Sequence, residues 1–255
     1  HARMESALVV GGDLRRTQLQ GARLEGAQLQ GADLTEAQLE EANLKGAWLQ
    51  AANLTKAQLP AANLTEAQLQ GANLTEAKCE LEYGKPRGCI LAGAQLQDAN
   101  LGGVRFLDAH LEGAKLQGAN LTRTHLEEAK LIGAQLQGAD LRYAYLEGAS
   151  LGGTRLQGAN LTGAQLGCAS LDSAQLQGAD LGRARLQGVN LIKAQLQGVN
   201  LRGSTLYQNG DPAPSDLVDI RGTVVRPLPP GRMTSALKFD NATTFTSCLT
   251  DQESQ

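Results

Sequence analysis

Residues 31–60 read GADLTEAQLEEANLKGAWLQAANLTKAQLP, and leucine returns at every fifth position of this segment. An alanine stands two positions before each of these leucines. Outward from this segment, the same spacing covers residues 14–79 and 91–206, where Cys79 and Phe106 are the two central positions without leucine. A helix repeats its apolar positions every ~3.6 residues and a strand at alternate positions, so a five-residue period fits neither. So long a series with a short fixed period is typical of a solenoid, whose turns pack on their neighbours.

A second period of 20 residues lies above the first one. In every fourth five-residue unit, the residue before the central position is Asn or Asp. The members of this column are Asp13, Asp33, Asn53, Asn73, Asn100, Asn120, Asp140, Asn160, Asp180 and Asn200. Four units per turn would stack these side chains on one face, at about the 4.8 Å spacing of paired strands.

The units resemble the motif of the pentapeptide repeat family: a small residue, Asn, Asp or another polar residue, leucine, and two variable residues. Segments 32–36 (ADLTE) and 119–123 (ANLTR) match it closely, and the resemblance covers residues 12–208. It implies an all-β fold, a right-handed quadrilateral parallel β-helix of about 9.5 coils. The leucine and the small residue would point inward, and the other three side chains outward.

The two series of units are separated by an interruption between Cys79 and Leu91. The Asn/Asp column stays in phase only if about seven residues near 82–88 loop out of the coil. Such excursions from a rigid scaffold often carry function, although a tolerated surface insertion is the equal alternative. The candidate binding residues of this loop are Tyr83, Lys85 and Arg87.

Cys79 and Cys89 flank the predicted loop, and both occupy inward positions of the repeat. A disulfide between them would close the loop. Two reduced cysteines that pack as small hydrophobic residues are the alternative, and the sequence leaves both open.

The remainder of the chain is expected to cover the ends of the solenoid. Residues 1–11 are interpreted as a tag remnant or N-terminal cap, and residues 209–255 as a short irregular C-terminal cap or an arm that pairs with another chain. The expected state is therefore a monomer or an end-to-end dimer through the C-terminal region.

Charge and motifs exclude several functions. The chain has 23 basic and 26 acidic side chains, which are interspersed, so direct nucleic-acid binding through a basic stripe is not expected. His110 and His125 belong to different predicted faces, and no catalytic, metal or cofactor site is predicted. No apolar run approaches the ~20 residues of a membrane span. The cytoplasm is favoured as the location, with the periplasm or a lumenal compartment as alternatives.

A candidate protein-binding patch follows from the few large outward residues. Tyr and Arg are enriched in binding hot spots. By the 20-residue stacking, Arg123 would lie one coil below Tyr143, and His125 and Arg105 below Tyr145. The alternative is that these aromatic side chains are exposed without a function. The predicted patch residues are Trp48, Arg105, Arg123, His125, Arg142, Tyr143 and Tyr145.

The favoured function is that of a non-catalytic scaffold or adaptor, or one module of a longer protein, that presents rigid faces to an unidentified protein partner. The resemblance also offers an alternative, because some family members mimic DNA, bind a type II topoisomerase such as gyrase and confer resistance to its inhibitors. That activity depends on a strongly acidic surface. The present chain departs from it, because its Asn/Asp column is mostly neutral Asn and basic residues dot the other faces.

Overall fold

The computed structural model describes residues 2–80 and 88–205. The backbone winds into a right-handed quadrilateral β-helix in which residues of successive coils pair in parallel, as Asp33 does with Asn53. The Leu34 N–H donates to the Asn53 carbonyl at 2.7 Å, and the Asn53 N–H donates to the Ala32 carbonyl at 2.9 Å. This pair of bonds recurs from coil to coil and satisfies the backbone groups beside each central residue.

Each face of the β-helix contributes one bridging residue per coil. The regular structure of the described coils therefore consists of columns of single parallel bridges. These coils contain no longer strand and no helix. In chain order, the four columns run from Arg3 to Asn190 (the His110 face), from Leu8 to Gln195 (the Trp48 face), from Asp13 to Asn200 (the Asn/Asp face) and from Gln18 to Thr205 (the His125 face). The Asn/Asp face is opposite the His110 face, and the His125 face is opposite the Trp48 face.

The core is a narrow column of leucine and alanine side chains. Leu34, Leu121 and Ala119 are completely buried, as are nearly all of their equivalents from Ala22 to Leu176. Burial of each leucine stabilises the folded chain by about 1.5–3 kcal/mol before chain entropy is subtracted. The inward assignment of leucine and of the small residue is thereby confirmed.

Corners require a left-handed residue, which explains the frequent glycines. At each corner the N–H of the small residue donates to the preceding central carbonyl, as Ala144 does to Leu141 at 3.1 Å. The last residue of each unit, just before that small residue, has a positive φ, such as 70° at Gly163 and 58° at Tyr143. Glycine adopts this conformation without steric cost, whereas other residues are strained there.

In most units the N–H that follows the central residue is satisfied in one of two ways. On the Asn/Asp face, the side chain two residues earlier accepts it: the Thr122 N–H donates to Asn120 Oδ1 at 3.0 Å, and the Thr122 hydroxyl donates to the same oxygen at 2.8 Å. The Asn120 amide also donates to Asn100 Oδ1 at 3.0 Å, so the column is linked between coils. These bonds explain why Asn and Asp were recognisable as a column.

Units without Asn or Asp place Gln or Glu directly after the central residue in most cases. In most of these residues one side-chain oxygen is buried and accepts no hydrogen bond from another residue, as in Gln117 and Glu147. Burial raises the pKa of the Glu147 carboxyl, and a hydrogen bond from the backbone N–H of the same residue partly offsets this rise. We infer that Gln and Glu at this position satisfy their own N–H groups. Pro60 fulfils the same requirement, because it has no N–H.

The β-helix begins earlier than the leucine spacing predicts. Arg3 and Leu8 already bridge to Arg23 and Gln28, so residues 2–11 belong to the first coil rather than to a separate cap. Met4 and Val9 take the inward central positions and pack against the core. The leucine period missed this coil because neither residue is leucine.

The insertion has the register that the Asn/Asp column predicts. Asn73 bridges to Asn100, an offset of one coil plus seven residues. Tyr83, Lys85 and Arg87 lie outside the described residues, as does the segment 209–255. Cys79 and Cys89 are joined by a disulfide with an S–S distance of 2.09 Å, and both side chains are fully buried.

Candidate functional site

The predicted patch residues are divided between opposite sides of the β-helix. Arg105, His125 and Tyr145 bridge in succession on the His125 face, in the predicted order. Trp48 bridges to Gln28 and Gln68 on the opposite face, and its side chain is 43% exposed. The expectation that Trp48 belongs to the same surface is therefore wrong. Once the insertion is subtracted, residues 48 and 145 are separated by a whole number of coils plus half a coil, and half a coil leads to the opposite face.

At the centre of the remaining patch, His125 stacks on Tyr145. The two ring centroids are 4.4 Å apart and the rings are nearly parallel, with an interplanar angle of 9°. His125 Nδ1 lies 3.0 Å from Glu127 Oε1, which fixes the orientation of the imidazole. The stack covers two coils and forms a flat aromatic surface with both side chains partly exposed.

Arg142 and Tyr143 occupy the corner between the Asn/Asp face and the His125 face. We call this edge the Tyr143 corner; it includes residues 15–16, 122–123, 142–143, 162–163 and 182–183 and their equivalents. The Arg142 guanidinium donates to Asp140 at 2.9 Å through Nε and at 2.6 Å through Nη2. These bonds from Arg142 hold the pKa of the Asp140 carboxyl below its usual range.

The Tyr143 ring lies across the corner of the next coil. A Cβ atom on Gly163 would be 2.7 Å from two carbons of this ring, so the ring rests on the bare backbone of Gly163. Tyr143 remains 52% exposed and adopts a positive φ of 58°. The same conformation occurs at this position in every described unit, so the fold itself sets the positive φ of Tyr143.

An acidic edge borders the opposite side of the same face. We call it the Glu147 corner, and its acidic residues beside the patch are Asp108, Glu127, Glu128 and Glu147. Burial raises the pKa of Glu147, and the neighbouring Glu127 raises it further. Burial, followed by the charge of Asp108, raises the pKa of Glu128. The leucine spacing gives no sign of this edge, although the 20-residue period aligns its residues.

Arg105 connects the patch to the edge of the insertion. Its guanidinium forms an ion pair with Glu80, whose side chain is only 9% exposed. Arg105 also borders a groove of about 570 Å³ that extends along the His125 face toward the N-terminal coils. The groove is lined by Glu36, Gln38, Lys56, Gln58, Glu76, Lys78, Gly103 and Arg105. Its opposite charges are close to one another, so it offers no strong site for a charged ligand.

The described part of the chain contains no cluster of three or more His, Cys, Asp or Glu residues that could hold a metal ion. His110 and His125 bridge on different faces, as predicted. Among residues 2–80 and 88–205, no helix has the length and apolarity needed to cross a membrane.

Comparison with known proteins gives matches over nearly the whole repeat. A family model described as pentapeptide repeats matches in eight copies, over residues 13–47, 42–78, 89–127, 105–142, 139–174 and 169–206. The structure is similar to that of HetL from the cyanobacterium Nostoc sp. strain PCC 7120, described as involved in the regulation of heterocyst differentiation. The identity is 30%, the TM-score 0.77, and the match covers 84% of this chain and 92% of HetL.

Two further solved structures extend the comparison. A pentapeptide repeat protein from Nostoc is 37% identical, with a TM-score of 0.23, over 36% of this chain and 77% of that protein. QnrB1, a plasmid-mediated fluoroquinolone resistance protein, is 17% identical in a trypsin-treated variant, with a TM-score of 0.41, over 81% of this chain and 89% of that one. No match to the chain was found among curated protein sequences.

Proposed function

Because the chain belongs to the pentapeptide repeat family, we propose that it is a non-catalytic scaffold whose rigid faces bind another protein. The hydrogen bonds between coils hold every outward side chain at a fixed spacing. Such a surface needs little ordering when a partner binds, which reduces the entropic cost of association. HetL is described as involved in regulation, a role that a binding scaffold can perform.

The observation that carries this proposal is the aromatic surface made by Tyr143, Tyr145 and His125. Most outward side chains are short or polar, whereas these rings are concentrated within two coils. A basic corner lies on one side of them and an acidic corner on the other. Aromatic anchors surrounded by charge are typical of interface hot spots, in which a few residues supply most of the binding energy.

The proposal is tested by affinity capture with matched variants of the full chain. The Tyr143→Ala/Tyr145→Ala double variant removes the aromatic surface, and Gln135→Ala/Gln175→Ala changes the opposite face by the same number of residues. A specific partner should be captured by the wild type and by the glutamine variant and should be lost with the tyrosine variant. Equal capture by all three forms would contradict the proposed surface.

The DNA-mimic alternative requires a continuous acidic surface. In the described coils, the Glu147 corner has carboxylates without basic residues, whereas Lys or Arg occurs on the His110, Trp48 and His125 faces and at the Tyr143 corner. This interruption of the acidic surface favours the scaffold. A supercoiling assay with purified gyrase separates the two functions. Neither inhibition by the protein nor protection from a gyrase inhibitor is expected, and either effect would support the mimic.

A further inference from the structure

The Tyr143 corner has a different charge pattern on the two sides of the insertion. Below it, the last residues of the corner alternate in sign: Arg16, Glu36, Lys56 and Glu76. Arg16 Nε lies 2.7 Å from Glu36 Oε2, and Lys56 Nζ lies 3.6 Å from Glu76 Oε2. Charges on these coils therefore neutralise one another within the protein.

Above the insertion, the same positions contain no acidic residue. They are Gly103, Arg123, Tyr143, Gly163, Arg183 and Gly203. Arg123 and Arg183 are exposed, and neither forms an ion pair with any residue that the structure describes. The basic charge of this segment thus lacks a counterpart within the described coils.

The acidic residues beside this segment are already engaged. Asp140 is held by the Arg142 guanidinium. Asp180 Oδ1 accepts hydrogen bonds from the Gly182 N–H at 2.8 Å and from the Asn200 amide at 2.9 Å. Other carboxylates lie across the His125 face on the Glu147 corner. An anionic ligand would therefore be attracted to the Tyr143 corner and repelled from the Glu147 corner.

The spacing of the two free arginines specifies the ligand further. Arg123 and Arg183 are three coils apart, or about 14 Å at ~4.8 Å per coil. An extended peptide rises ~3.4 Å per residue, so positions four residues apart would meet both guanidinium groups. Because alternate side chains of an extended chain point the same way, the midway residue would face the Tyr143 ring.

We propose that the Tyr143 corner between Arg123 and Arg183 binds an extended acidic segment of the partner protein. In this segment two carboxylate side chains lie four residues apart, and an apolar or aromatic side chain midway between them packs on Tyr143. The segment runs parallel to the axis of the β-helix. This inference rests on the proposed scaffold function and names the chemistry of its ligand.

Peptide binding tests the inference directly. The probe is a fluorescein-labelled nine-residue peptide with two Glu residues four positions apart and Tyr midway, and binding is followed by anisotropy at low salt. One control peptide replaces both Glu residues with Gln, and another sets the Glu residues two positions apart. The first peptide should bind at least tenfold more tightly than either control, and equal binding of the three would overturn the inference.

Protein variants locate the site. Arg123→Ala/Arg183→Ala should weaken peptide binding at least tenfold, whereas Lys115→Ala/Arg155→Ala, which removes the same charge from the Trp48 face, should change it less than twofold. Similar losses in both variants would indicate general charge attraction and would overturn the site. The site would also be overturned if an unstructured single-stranded oligonucleotide bound at least as tightly as the acidic peptide and depended on the same two arginines.

Failure of the peptide experiment can be distinguished from failure of the scaffold function. If affinity capture depends on Tyr143 and Tyr145 but the acidic peptide does not bind, the scaffold proposal stands and the acidic ligand is wrong. If capture does not depend on these tyrosines, the proposed surface itself fails.

Discussion

Cys79 and Phe106 occupy the same inward column in consecutive coils. The Cys79 N–H donates to the Arg105 carbonyl at 3.0 Å, which stacks the unit of Cys79 directly against that of Phe106. Both side chains are completely buried. Since leucine fills the neighbouring positions of the column, a residue smaller than leucine lies beside one that is larger. The two departures from the leucine series therefore compensate each other in volume.

Phe106→Leu is expected to leave a cavity beside Cys79 and to lower the free energy of unfolding by about 1 kcal/mol. The control Leu146→Phe enlarges a residue of the same column whose neighbours are leucines, and overpacking should cost about 1–3 kcal/mol. Urea denaturation followed by far-UV circular dichroism measures both. Unchanged stability of Leu146→Phe would show that the column tolerates phenylalanine without a compensating small residue.

The two ways of satisfying the turn N–H make the Asn/Asp column testable. Asn120→Ala removes the acceptor of the Thr122 N–H and the link to Asn100, so it should destabilise the protein by about 1–2 kcal/mol. Adding Thr122→Gln should recover part of this loss, because glutamine at that position satisfies its own N–H. Urea denaturation of the single and double variants gives the recovery.

Ser150→Ala is the control for this comparison, because Ser150 precedes a central leucine without capping the turn, and it should change stability by less than ~0.5 kcal/mol. If Thr122→Gln worsens the effect of Asn120→Ala, the inferred role of glutamine is wrong.

The sequence predicted the inside of this protein far better than its outside. The leucine spacing and the Asn/Asp column predicted the fold, the inward residues and the register across the insertion, because both patterns record packing or hydrogen bonds that recur in every coil. Met4 and Val9 were missed because they fill the core without matching the pattern. The stack of His125 on Tyr145 follows from the 20-residue period, whereas the support of Tyr143 by Gly163 depends on a side-chain orientation that the period does not specify.

The partly buried carboxyl of Glu147 predicts a pH-dependent effect. Burial raises its pKa in the folded protein. Folding is therefore favoured by protonation, and this contribution is present below the unfolded pKa near 4.5 and is lost as the pH rises through the folded pKa. Glu147→Gln retains the side-chain oxygen and removes the charge, so it should raise the melting temperature at pH 7, by less than about 4 °C for a chain of this size.

The difference from the wild type should disappear below about pH 4, where Glu147 is protonated. Glu112→Gln provides a matched control at the same position of its turn, where His110 Nδ1 lies 3.4 Å from the carboxylate, and it should not stabilise the protein. A wild type that is more stable than Glu147→Gln at pH 7 would contradict the effect of burial.

The position of the Tyr143 ring depends on the absence of a side chain at Gly163, and this dependence gives a test of the patch without altering the tyrosine. Gly163→Ala should destabilise the protein by about 1 kcal/mol, because φ is 70° there, and the added methyl group should displace the ring. Gly158→Ala introduces the same group at a φ of 65° with no atom within 4 Å, so it should have the backbone cost alone. NMR spectra of protein labelled in its tyrosine rings should show a shifted Tyr143 signal in Gly163→Ala only. If both variants leave that signal unchanged, the ring does not rest on Gly163 in solution.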